Sequence, residues 1–93
     1  MKKRKAERRL TLACGLPTDV LGARVTLFGR TSVMAEGQQG VIELSGTRIR
    51  LRTRDGLLCV LGEGLAIREL SADAVMISGA RIDAASYAPL RES

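Results

Sequence analysis

The sequence predicts an all-β fold: a small antiparallel β-sandwich of about eight short strands, preceded by a basic N-terminal arm or short helix. Three observations carry the prediction. From Ala23 onward, short β-branched and apolar runs alternate with glycine-bearing turns. Residues 47–54 read T-R-I-R-L-R-T-R, which in an extended chain puts Arg48, Arg50, Arg52 and Arg54 on one face and Thr47, Ile49, Leu51 and Thr53 on the other. Residues 57–61, L-L-C-V-L, are apolar on both faces, as in a strand covered on both sides, by a second sheet and by something else, a second subunit included.

The elements follow in order. Residues 1–15 form the basic arm; 2–14 contain no Gly or Pro. One reading is a short helix with Ala6, Leu10 and Ala13 along one side, ended by Gly15 and Pro17. The stripe is weak for a membrane-surface helix, and an arm ordered only by a partner is the other reading. Residues 16–88 form the β domain, with strands expected near 23–28, 31–35, 40–44, 47–53, 57–61, 65–70, 74–78 and 81–87. Residues 89–93 are a short tail.

Asp55-Gly56 is the strongest turn signal, because a tight hairpin needs positive φ angles that Gly, Asn and Asp tolerate best. With that turn, Arg54 faces Leu57, Arg52 faces Cys59 and Arg50 faces Leu61; a one-residue shift sets Arg52 beside Leu58 and Arg50 beside Val60. In both registers the arginines lie beside apolar side chains, so the strand is not a purely basic groove. Their stems can cover these neighbours while the guanidiniums stay in water. Across Ser45-Gly46, Glu43 is expected opposite Arg48 as an ion pair.

A chain of 93 residues makes one small domain with modest burial, so self-association would help it. Phe28 and Tyr87 are its only aromatic residues, which argues against nucleic-acid recognition by stacking. The formal charge of +5 is a property of the N-terminus. Residues 1–9 hold Lys2, Lys3, Arg4, Lys5, Arg8 and Arg9 against Glu7, six basic residues and one acid; the other nine basic and nine acidic residues cancel. Such a tail attracts acidic membrane surfaces, nucleic acid or acidic partners, or simply solubilises the flank.

Two cysteines, Cys14 and Cys59, without a CxxC spacing fit a reduced, intracellular protein. The apolar run 10–16 is too short to cross a membrane and short for a signal-peptide core, so no export is expected, although T-L-A-C at 11–14 has a distant likeness to a lipoprotein cleavage site. No histidine is present, which removes the commonest general base and transition-metal ligand. The carboxylates are scattered singly, and no phosphate-binding glycine motif opens a helix. The expectation is a binding or assembly module with no catalytic residues, cofactor, metal or small-molecule substrate.

The order of motifs carries a resemblance: L-P-T-D-V (16–20), R-V-T-L-F-G-R (24–30), A-E-G-Q-Q-G-V (35–41), R-I-R-L-R-T-R-D-G-L-L-C-V-L-G (48–62), L-A-I-R-E-L (65–70) and V-M-I-S-G-A-R-I-D-A-A-S-Y (75–87). The chain resembles the YabP/YqfC family of sporulation proteins, and the L-P-x-D-V element behind a basic N-terminus is closer to the YqfC branch. The resemblance implies an intracellular β-sandwich of the mother cell of an endospore former, acting in spore morphogenesis and not known as an enzyme. For the YqfC branch it implies partnership with a membrane protein, YqfD, and hence a cytoplasmic protein that can sit peripherally at the forespore-surrounding membrane; for the YabP branch the setting is cortex and coat formation. Relatives commonly carry an acidic loop with Asn and His; here it reads Glu36-Gly37-Gln38-Gln39-Gly40, with Gln38 at the histidine position.

Two groups of residues are therefore candidates. Lys2, Lys3, Arg4, Lys5, Arg8 and Arg9 are expected to meet a partner or membrane, and Arg48, Arg50, Arg52, Arg54, Leu57, Cys59 and Leu61 form the candidate interaction face. The alternative is a small nucleic-acid-binding protein that uses the arm and the arginine strand.

Overall fold

The computed structural model describes residues 7–12 and 14–89, and these form ten strands. They are β1 (Arg8–Leu10), β2 (Thr18–Val20), β3 (Ala23–Phe28), β4 (Ser32–Glu36), β5 (Gly40–Leu44), β6 (Arg48–Thr53), β7 (Gly56–Glu63), β8 (Ala66–Leu70), β9 (Ala74–Ser78) and β10 (Arg81–Pro89). Two five-stranded antiparallel sheets result, sheet A in the order β1-β10-β7-β6-β5 and sheet B in the order β2-β3-β4-β9-β8. The eight predicted strands are all present, with ends within two residues of expectation.

Alternation sorts the side chains. On the inner faces Ile49, Leu51, Leu58 and Val60 of sheet A meet Val25, Val33, Ala35, Val75 and Ile77 of sheet B, none more than 1% exposed. Burying a branched aliphatic side chain of this size contributes about 1.5–3 kcal/mol. Thr53 also points inward, and its hydroxyl donates to the Gly56 carbonyl at 3.1 Å, which removes the cost of an unpaired buried oxygen.

Three sequence expectations are corrected. A helix over 2–14 is not formed by its described part: Arg8–Leu10 is a strand on the edge of sheet A, pairing with Tyr87, Ser86 and Ala85, and Leu10 packs on the core. A three-position apolar stripe could not outweigh a ladder that buries Leu10. Residues 1–6 and 13, with Lys2, Lys3, Arg4 and Lys5, lie outside the described residues, as do 90–93, while Pro89 belongs to β10.

The second correction is the β6–β7 turn. It consists of Arg54 and Asp55, because Thr53 pairs with Gly56, and neither Asp55 nor Gly56 takes a positive φ. Both expected registers are therefore displaced: Arg52 faces Leu57, Arg50 faces Cys59 and Arg48 faces Leu61. The cause is tertiary. The Asp55 N–H donates to the Leu21 carbonyl, and the Arg54 side chain lies across Gly22, so the turn is fixed on the β2–β3 hairpin of the opposite sheet. Leu21 and Gly22 have φ of 54° and 83°, the pattern of a type I′ hairpin. The third correction is smaller: Glu43 stands opposite Arg50, not Arg48, because the turn is closed between Ser45, whose N–H donates to the Arg48 carbonyl, and Arg48, so that Leu44 pairs with Ile49.

Candidate interaction face

The outer face of sheet A gathers most of the predicted face. Residues directly opposite in an antiparallel pair share a face, so Arg48, Arg50 and Arg52 on β6 lie beside Leu61, Cys59 and Leu57 on β7. Beyond β7 come Ala84, Ser86 and Ala88 of β10, opposite Leu61, Cys59 and Leu57. On β1, Arg9 stands opposite Ser86 and so borders the same face. The result is a shallow trough floored by alanine and serine, with an aliphatic wall on β7 and arginines beyond both sides. Three strand spacings, roughly 14 Å, separate Arg9 from Arg50 along the sheet.

Not every candidate joins it. Arg54 sits in the turn, bonded to Asp55 at 3.4 Å and laid over Gly22, so the row has three arginines. Arg8 pairs with Tyr87 and belongs to the other side of β1. Five residues on or beside the face were not expected there: Glu7, Arg9 as its border, and the small-residue trough of Ala84, Ser86 and Ala88. The signal for the trough was present in the alternation Ala84, Ser86, Ala88, but its meaning depends on β10 lying between β1 and β7.

The electrostatics of the face favour an anion. Glu43 is shared, 3.4 Å from Arg50 and 3.8 Å from Arg48, while Arg52 and Arg9 form no ion pair among the described residues. At the far end Arg81 meets Glu63 at 3.8 Å and Asp83 at 2.5 Å, which closes that corner. Arg81 holds the Asp83 carboxyl below its usual range, chiefly through their hydrogen bond. In the middle of the face guanidinium outnumbers carboxylate. Cys59 is only 6% exposed although it lies on the outer face; Glu7, Arg50, Leu57 and Ala88 are among the residues that line a hollow of about 120 Å³ beside it. Burial pushes its thiol up, the Glu7 carboxylate adds to this, and Arg48 and Arg50 oppose it. Cys59 is thus a neutral, inert part of the wall.

Elsewhere the chemistry is sparse. An open polar cleft of about 580 Å³ at the end of the sandwich is lined by Asp19, Arg24, Glu36, Gly37 and Arg54 among others. Its guanidiniums are already paired, Arg24 with Asp19 at 3.0 Å and Arg54 with Asp55 at 3.4 Å. Gln38, beside it in the loop from β4 to β5, is 4% exposed with its Oε1 buried and unpartnered. Among the described residues no three His, Cys, Asp or Glu side chains are grouped to hold a metal ion. No helix of the described residues is long and apolar enough to cross a membrane.

These features define a small all-β module whose most developed surface is a basic, partly apolar sheet face. The chain belongs to the YabP family, whose model matches residues 20–93. It is also 26% identical over 88 residues to an uncharacterized protein, YqfC, of Bacillus subtilis (strain 168), covering 92% of this chain and 94% of that one. No solved structure matches it.

Proposed function

We propose that the chain is a non-catalytic assembly module of spore morphogenesis on the mother-cell side, which presents the outer face of sheet A to an acidic surface at a membrane. The observation that carries this reading is the pairing of unneutralised guanidiniums, Arg52 and Arg9, with the apolar wall of Leu57 and Leu61 on one face. Anionic headgroups and acidic protein segments both reward that combination, charge steering the approach and the aliphatic wall excluding water. The basic residues Lys2, Lys3, Arg4 and Lys5 precede Glu7, which lines this face, and would add attraction to it. A membrane protein of the YqfD kind, as the family resemblance implies, would bring the chain to the bilayer.

The test is sedimentation with vesicles containing phosphatidylserine. Arg50→Gln/Arg52→Gln is compared with the charge-matched pair Arg24→Gln/Arg30→Asn, which lies on and beside sheet B. Binding lost in the first pair and kept in the second supports the face. Equal losses would leave only diffuse charge and would sink the reading. Nucleic acid is the second reading, with less to support it: neither aromatic residue lies on this face, since Tyr87 points inward and Phe28 belongs to sheet B. Duplex and single-stranded RNA in the same assay, bound more tightly than the vesicles, would reverse the preference.

A further inference from the structure

The flank of the sandwich made by β5 and β8 is unfinished. β5 is the last strand of sheet A and β8 the last of sheet B. The two are linked at one end, where the Leu65 N–H, just before β8, donates to the Gly46 carbonyl just after β5. Their inward-pointing ends should be buried. Leu44 pairs with Ile49 and Leu70 with Val75, both partners being core residues, so register aims both leucines between the sheets. Yet Leu44 is 58% exposed and Leu70 59% exposed, and Ile42, in the β5 bulge, is 50% exposed. Three large aliphatic side chains on one flank of a chain this small are a costly exposure. A hollow of about 420 Å³ lined by Leu70, Met34, Glu69 and Met76 lies next to this flank on the outer face of sheet B, since Met34, Met76 and Glu69 stand opposite one another on the side away from the core.

We infer that this flank is where a second copy of the chain docks, two-fold related to the first. The choice of a second copy rests on charge. Arg68 and Glu69 are adjacent on exposed β8, and among the described residues neither forms an ion pair. A two-fold operation brings each guanidinium toward the other copy's carboxylate, so this patch complements itself. The outer face of sheet A cannot serve that purpose, because two copies of its arginine row repel. Both edge strands carry a bulge, between Val41 and Glu43 and between Ile67 and Glu69. Bulges turn an edge away from a further strand, so the copies meet through side chains, Ile42, Leu44 and Leu70 forming the apolar centre, and the sheets do not continue across the boundary. An isologous contact of this kind closes as a dimer and leaves both basic faces outside, free for the acidic surface. The inference rests on the assembly-module reading and gives it its self-association site.

The experiment is light scattering coupled to size exclusion on the full chain across a wide concentration range. The unsubstituted chain is expected as a dimer. Leu44→Ser/Leu70→Ser should raise the dimer dissociation constant about tenfold or more, the loss expected when partly buried leucines are truncated. Arg68→Glu and Glu69→Arg each give a self-repelling flank and should be monomers, whereas an equimolar mixture of the two should recover a heterodimer. That mixing result cannot come from misfolding. A monomeric parent chain, a dimer indifferent to both kinds of substitution, or a mixture that stays monomeric overturns the inference. Vesicle binding on the same samples separates the two proposals: a parent chain that is monomeric but binds vesicles refutes only the dimer, and a dimer that ignores vesicles refutes only the basic face.

Discussion

Single side chains decide how tightly this domain is closed. Gly62 on the inner face of β7 is one: a Cβ there would overlap the Arg81 carbonyl and crowd the Leu65 side chain. Gly62→Ala should therefore lower stability by about 1–3 kcal/mol or more, since backbone must move to admit the methyl, and urea unfolding followed by circular dichroism would read it. Gln38 should behave in the opposite sense. Its buried Oε1 lacks a partner, so Gln38→Met at similar volume removes a desolvation cost and should be neutral or stabilising by about 1 kcal/mol. Asp83 supplies a pH dependence. Its folded pKa is depressed by Arg81, so the stability it contributes is present above the unfolded carboxylate range and is lost as pH falls through the folded value. Asp83→Asn should flatten the acid limb of the stability profile.

At the scale of elements, β1 is the strand whose removal tells most. Deleting residues 1–6 spares it, whereas deleting 1–12 uncovers the edge of β10 and removes Leu10 and Leu12, both packed against the core. The shorter deletion should leave the unfolding midpoint unchanged. The longer one should cost about 2–4 kcal/mol, from two partly buried leucines and the lost ladder bonds, and should promote aggregation through the freed edge. This strand also marks the limit of what the sequence makes legible. Eight strands could be read because alternation and glycine breaks are local signals. β1 and β2 have three residues each, and only their pairing with Ala85–Tyr87 and Ala23–Val25 makes them strands. The arginine row beside an apolar row was legible for the same local reason. Its register was not, because Asp55 and Arg54 are held by Leu21 and Gly22 from the other sheet.

For the whole molecule, what matters is how the charge of the N-terminal segment and the charge of the face combine. Residues 1–6 carry Lys2, Lys3, Arg4 and Lys5 with no acid, so the remaining chain has eleven basic and ten acidic residues and a net charge of +1. If the segment alone caused attraction, a chain lacking 1–6 would ignore anionic vesicles. If the sheet face also takes part, the nearly neutral remainder still binds, because Arg9, Arg48, Arg50 and Arg52 are concentrated on one side while much of the compensating charge lies elsewhere. Each basic residue near an anionic surface is worth about 1 kcal/mol, so the truncation should weaken binding by two to three orders of magnitude, roughly, without abolishing it. The residual binding should fall further in Arg50→Gln/Arg52→Gln and should weaken less steeply with salt than that of the full chain, since fewer charges take part and the Leu57–Leu61 wall is insensitive to screening. Titration of both lengths of chain against vesicles at 50 and 200 mM salt, roughly a halving of the Debye length, would show it. Complete loss on truncation would remove the sheet face from membrane attachment and leave the basic segment as its sole agent.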